Sequence, residues 1–246
     1  MLKKLSNNDW NMLANTNIFF GHQSLGLNII DGIQKLMKDN SGIELNIVET
    51  INPNTFVSGI FAHSKMGQNE KPISKIWRFN KLLKSGIGKR ADIVFYKFSY
   101  ADINFVPDVH KLFNNYQESC QDLRRKYPTT HFVHITMPLT TIQRGPKVWL
   151  KKITGDSNDE FNNNIRRNKF NHLLRNQYEG SEPFFDLARI ESKSSNGDLA
   201  TFFKNGNQYF HLNHNYTNNG RNLNTIGQKW VAKKLLLFLA NLSPCC

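Results

Sequence analysis

The chain has 246 residues, 39% of them hydrophobic and 12% aromatic, and its 32 basic against 19 acidic residues give a formal net charge of +13. This predicts one globular domain over 1–246, with 1–15 and 243–246 as peripheral tails; three cysteines (Cys120, Cys245, Cys246) exclude a disulfide framework and point to a reducing compartment. No stretch approaches the ~20 apolar residues of a membrane span, and Ser6-Asn7-Asn8-Asp9 interrupts the signal-like start Met1-Leu2-Lys3-Lys4, so a soluble chain is expected, cytoplasmic as given or else a mature fragment.

Strand and helix patterns alternate along the whole sequence. Strands are predicted at 18–20, 44–49, 93–98, 132–136 and 184–186, and helices at 25–39, 73–84, 106–126, 160–178 and 225–242. Residues 56–63 read as a further short strand or an active-site loop, and 201–211 as a hairpin turning at Asn205-Gly206-Asn207. Continuous apolar runs such as Ile93-Val94-Phe95-Tyr96 suit strands covered on both faces. The prediction is an α/β fold in three α/β/α layers around a mostly parallel sheet of about five strands. Ligands then bind beyond the carboxyl ends of the strands, which directs attention to the segment after each strand.

The first such segment is Gly21-His22-Gln23-Ser24-Leu25-Gly26. A serine between a short inner strand and a helix has its hydroxyl lifted to the open sheet edge, beside the positive end of the helix dipole. The same placement also suits a plain N-cap serine. Gly67 and Asn69, before the proline-started helix, can supply a backbone N–H and a side-chain amide to one developing oxyanion, or can form a turn and helix cap. Tyr100 and Asp102 follow the 93–98 strand; Asp102 can contact a substrate hydroxyl or orient a base, or can cap the next helix. The long loop after 136–141, with Trp149, reads as a substrate-facing lid, and Asp186 as a structural acid. The last segment, 216–228, is where a serine hydrolase of this architecture delivers its general base.

In order, these blocks resemble the SGNH/GDSL hydrolases, in the branch whose first block reads Gly-His-Gln-Ser. The resemblance runs through Phe20 to Gly26, the Gly67/Asn69/Pro72 element, and residues 95–103, 134–140, 186–192 and 216–227. It implies a flavodoxin-like SGNH architecture and hydrolysis of O-acyl esters on carbohydrates or lipids without metal or cofactor. It makes Ser24 the nucleophile, its own N–H with Gly67 and Asn69 the oxyanion hole, and His22 a substrate or loop contact. Tyr100, Asp102 and His214 become substrate-side candidates. The closing block departs from the family's Asp-Gly-x-His-Leu-Asn: it reads Asn219-Gly220-Arg221-Asn222-Leu223-Asn224. Asn219 stands in the aspartate position and Asn222 in the histidine position, and a carboxamide cannot take the serine's proton. Impaired turnover follows, with a pocket that binds a glycan or other acidic ligand without cleaving it as the alternative. His214 is the foremost substitute base, while His63 and His134 are pocket residues without a defined role. The basic residues are dispersed in short groups, so solvated helix faces account for the charge better than a nucleic-acid or polyanion surface.

Overall fold

A computed structural model describes residues 7–23, 26–40, 44–104, 106, 108–142 and 160–242. In chain order the elements are α1 (Asn7–Asn15), β1 (Asn17–His22), α2 (Leu27–Lys38), β2 (Ile47–Glu49), β3 (Ile60–Lys65), α3 (Pro72–Lys84), β4 (Ile93–Tyr96) and α4 (Val109–Lys126). They continue with β5 (His131–Ile135), α5 (Glu160–Tyr178), β6 (Phe184–Phe185), α6 (Leu187–Ser192), β7 (Thr201–Lys204), β8 (Asn207–Phe210) and α7 (Thr225–Ala240).

Among the described residues, six strands form one parallel sheet in the order β2-β3-β1-β4-β5-β6. The segment read as strand or loop is a full strand, β3, paired with β1 from Asn17↔Ile60 to His22↔Lys65. Its five consecutive buried residues explain why periodicity left it open: both faces are covered, so no alternation survives in the sequence. The expected N-terminal tail also differs, because 7–15 is helical and Leu13 is buried in the core against α7.

The strands carry two cores on opposite faces. Phe19, Val94 and Tyr96 point to a core shared with Ile76 and Phe79 of α3, Leu112 and Tyr116 of α4, and Phe170 of α5. Ile18, Phe20, Ile93 and Phe95 point to the other, shared with Ile29 and Ile33 of α2 and Val231 and Leu235 of α7. Gly32 lets α2 and α7 approach closely, since a Cβ there would strike the Gln228 carbonyl. The 201–211 hairpin is β7 with β8, and Asn205 (φ 51°) and Gly206 (φ 75°) make the two-residue turn with positive φ at both positions. From β1 the chain runs to one side of the sheet through β2 and β3, then crosses to β4 on the other, which places the switch point at the carboxyl ends of β1 and β4. Among the described residues, no helix is long and apolar enough to cross a membrane.

Candidate active site

The carboxyl end of β1 opens the site. His22, its last residue, is 1% exposed, with Nδ1 2.8 Å from the Gln23 carbonyl and Nε2 3.0 Å from His63 Nδ1 on the neighbouring strand β3. Burial, reinforced by the charges of Lys97 and Lys65, pushes the His22 imidazole down to about 4. Burial lowers His63 as well, against the pull of Glu49. Both ring nitrogens of His22 are engaged within the protein, so it serves the loop rather than presenting a free nitrogen. The Gln23 carbonyl also accepts from Gly26 N–H at 2.6 Å, closing the turn that leads into α2. Ser24 and Leu25 lie outside the described residues, as do Trp149 and the segment 143–159 read as a lid.

Gln23 joins this turn to the next segment. Its amide Nε2 donates to the carbonyls of Met66 and Gly67, the residues that follow β3. Gly67 has φ 56°, and a Cβ there would lie 2.7 Å from Lys75 N, so the turn requires glycine. Asn69 is exposed at the tip of the same turn.

Asp102 adopts the capping alternative. It is fully buried, accepts from Ser99 N at 2.7 Å in a capping box, and accepts from Glu70 N at 3.0 Å. Its remaining partner is the ammonium of Lys75, also fully buried. Burial lowers the Lys75 ammonium and the Asp102 charge opposes that. The carboxylate thus ties the 67–70 turn to the end of β4, a positioning task that engages both of its oxygens within the fully buried interior.

Tyr100 is half-buried, its ring 5.6 Å from the Arg167 guanidinium and 5.9 Å from that of Arg221. Arg221 belongs to the closing block, which is held here through Thr141 N to Gly220 O at 2.9 Å and Arg221 to Glu160 at 3.1 Å. Asn219 is exposed and its Oδ1 accepts from Asn222 N at 2.8 Å and Arg221 N at 3.0 Å. An aspartate would accept the same two bonds, so the amide preserves the shape of the turn. Asn222 is exposed. His214 is exposed on the preceding turn, its ring 5.5 Å from that of His211. His134 is the penultimate residue of β5, with both ring nitrogens committed to Tyr116 and Glu182 at 2.8 Å each and its ring stacked on Tyr178. Asp186 is structural: it caps α6 and accepts from Nε and Nη2 of Arg175.

Several buried polar residues at this edge escaped the sequence reading. Lys97 follows β4, is 5% exposed, and donates to the Phe98 carbonyl at 3.4 Å. Burial pushes it down to about 8, while the neighbouring Glu191 is pushed up to about 8 for the same reason. Arg167 is fully buried and bonds Thr140, Asn164, Asn104 and the Tyr100 carbonyl. A lysine inside the apolar run Ile93-Val94-Phe95-Tyr96-Lys97-Phe98 was the available signal for the first of these.

Neither family models nor curated proteins match the sequence. Solved structures do. A candidate platelet activating factor from Streptococcus pneumonia aligns with TM-score 0.51 at 16% identity, over 96% of this chain and 92% of its own. The lipopolysaccharide acetyltransferase periplasmic domain of Salmonella ser. Paratyphi A gives 0.53 at 14% identity, over 95% and 88%. An acetyl esterase variant with bound acetate gives 0.52 at 11%, over 91% and 96%. The chain has the SGNH/GDSL hydrolase fold. In this chain Gln23 links the turn after β1 to the turn after the neighbouring strand β3.

Proposed function

We propose that this protein is an SGNH-type acyl-ester hydrolase with Ser24 as nucleophile, slowed by the amides at 219 and 222. The observation that carries it is the Gln23 clamp, which couples the turn bearing Ser24 to the Gly67 turn in a fixed relation. Attack by the Ser24 oxygen on an ester carbonyl forms an acyl-enzyme and expels the alcohol; water then releases the acid and restores the serine. The N–H groups of Ser24 and Gly67 and the Asn69 amide stabilise the oxyanion of each tetrahedral intermediate. Asn222 accepts a hydrogen bond but takes no proton, so deprotonation of the serine is left to water or to His214. Loss of such a base costs several powers of ten in kcat, on the order of triad deletions. The substrate class is an O-acyl ester of a carbohydrate or lipid, with Tyr100, whose ring lies 5.9 Å from the Arg221 guanidinium, as a substrate-side residue.

A second reading, a pocket that binds an acylated or acidic glycan without cleaving it, is favoured by the paired amides in a loop that keeps its turn. A fluorophosphonate probe and p-nitrophenyl acetate decide between them. Labelling and slow turnover that both vanish in Ser24→Ala support the hydrolase. Equal background in both proteins overturns it.

A further inference from the structure

The hydrogen bonds at the end of β1 fix the protons of two histidines. The Gln23 carbonyl can only accept, so His22 Nδ1 carries a hydrogen and donates to it at 2.8 Å. His22 is buried beside the ammonium groups of Lys97 and Lys65 and stays neutral, which leaves a lone pair on Nε2. His63 Nδ1, 3.0 Å away, is therefore the donor of the second bond. Both imidazoles are Nδ1–H tautomers, the less common form for a histidine in water. Glu49 on β2, in register with His63, completes the charged groups around the pair.

We propose that His63 is a positioning residue that, through His22, holds the Gln23 carbonyl and so the turn carrying Ser24. The chain of contacts is continuous: His63 donates to His22, His22 to the Gln23 carbonyl, and the Gln23 amide to Met66 and Gly67. The His63 donor thus braces one end of a chain of contacts that reaches both turns, beside the Gly26 N–H that also holds the Gln23 carbonyl. The consequence for catalysis rests on the ester-hydrolase reading, whereas the tautomers do not.

Heteronuclear NMR of the imidazole nitrogens, recorded on the wild type, His63→Leu and His63→Asn, tests this. Asparagine places a donor N–H near the Nδ1 position and leucine places none. The wild type is expected to show Nδ1–H on both rings, and both variants to keep Nδ1–H on His22, with that proton exchanging faster in His63→Leu, where the ring has lost its second hold, than in His63→Asn. Fluorophosphonate labelling of Ser24 is expected to slow by about tenfold or more in His63→Leu and to stay within about threefold in His63→Asn. An Nε2–H tautomer on His22 in the wild type, or equal labelling rates in the wild type and His63→Leu, overturns the proposal. If the wild type is not labelled, the ester-hydrolase reading fails and the spectra alone decide the role of His63. If His63→Leu does not fold, the wild-type and His63→Asn spectra decide it.

Discussion

Replacing Asp102 by asparagine removes the counter-charge of a fully buried lysine, and the cost follows from the contacts. Lys75 and Asp102 are each 0% exposed, and the carboxylate also accepts from Ser99 N and Glu70 N. An orphaned buried ion typically costs about 3–5 kcal/mol. Lys75 can instead shed its proton, which from the ordinary lysine value of 10.5 costs about 5 kcal/mol at pH 7 and caps the charge term. The new amide also turns an N–H toward one of the two backbone donors, adding about 1 kcal/mol or more. A total of about 4–6 kcal/mol is a large fraction of the ~5–15 kcal/mol stability of a domain. With a urea slope of about 3 kcal/mol per molar, the midpoint falls by about 1–2 M. The lysine's folded pKa in the variant lies well below its unfolded one, so the unfolded chain binds more protons and the deficit shrinks as pH rises from 7 toward 10. Adding Lys75→Met should recover most of the loss. A midpoint shift below about 0.3 M, or no recovery in the double variant, refutes the buried-pair reasoning.

Restoring the closing block with Asn219→Asp and Asn222→His together should raise kcat/KM on p-nitrophenyl acetate by about a hundredfold or more, and a folded double variant that is no faster refutes the alignment of this loop. His22 binds its proton less tightly folded (about 4) than unfolded (6.5), so its contribution is present above 6.5 and lost as pH falls toward 4, about 3 kcal/mol in all. Urea midpoints measured across that window should show a shallower acid slope in His22→Gln than in the wild type; parallel slopes contradict it. Gly67→Ala forces a side chain into φ 56° against Lys75 N and should cost about 2 kcal/mol with slower Ser24 labelling. Unchanged thermal midpoint and labelling would show that the turn tolerates a Cβ.

Much of the frame was legible because it depends on local pattern. Apolar runs of four or five residues separated by amphipathic stretches specify a parallel sheet under helices, and β4, β5, α3 and α5 fall where that pattern puts them. β3 was ambiguous because full burial on both faces erases alternation. α1 was read as a tail because its tie to the fold is tertiary, through Leu13 against α7. The candidate site segments follow from the same logic, since glycines and polar residues at strand ends are punctuation visible in one dimension.

The sequence by itself determined the sheet, the strand ends and the chemical types available there, including two amides where a base and its acid are expected. Only the tertiary structure decided what each side chain is committed to. Asp102 could have met substrate or capped a turn, and the arrival of a buried Lys75 from α3 settles the matter. His22 could have offered a free nitrogen, and His63 on the next strand takes it. Burial and partner supply the reason: the energy of a charge or an imidazole proton depends on desolvation and on groups tens of residues away in the chain, and neither quantity is written in local spacing.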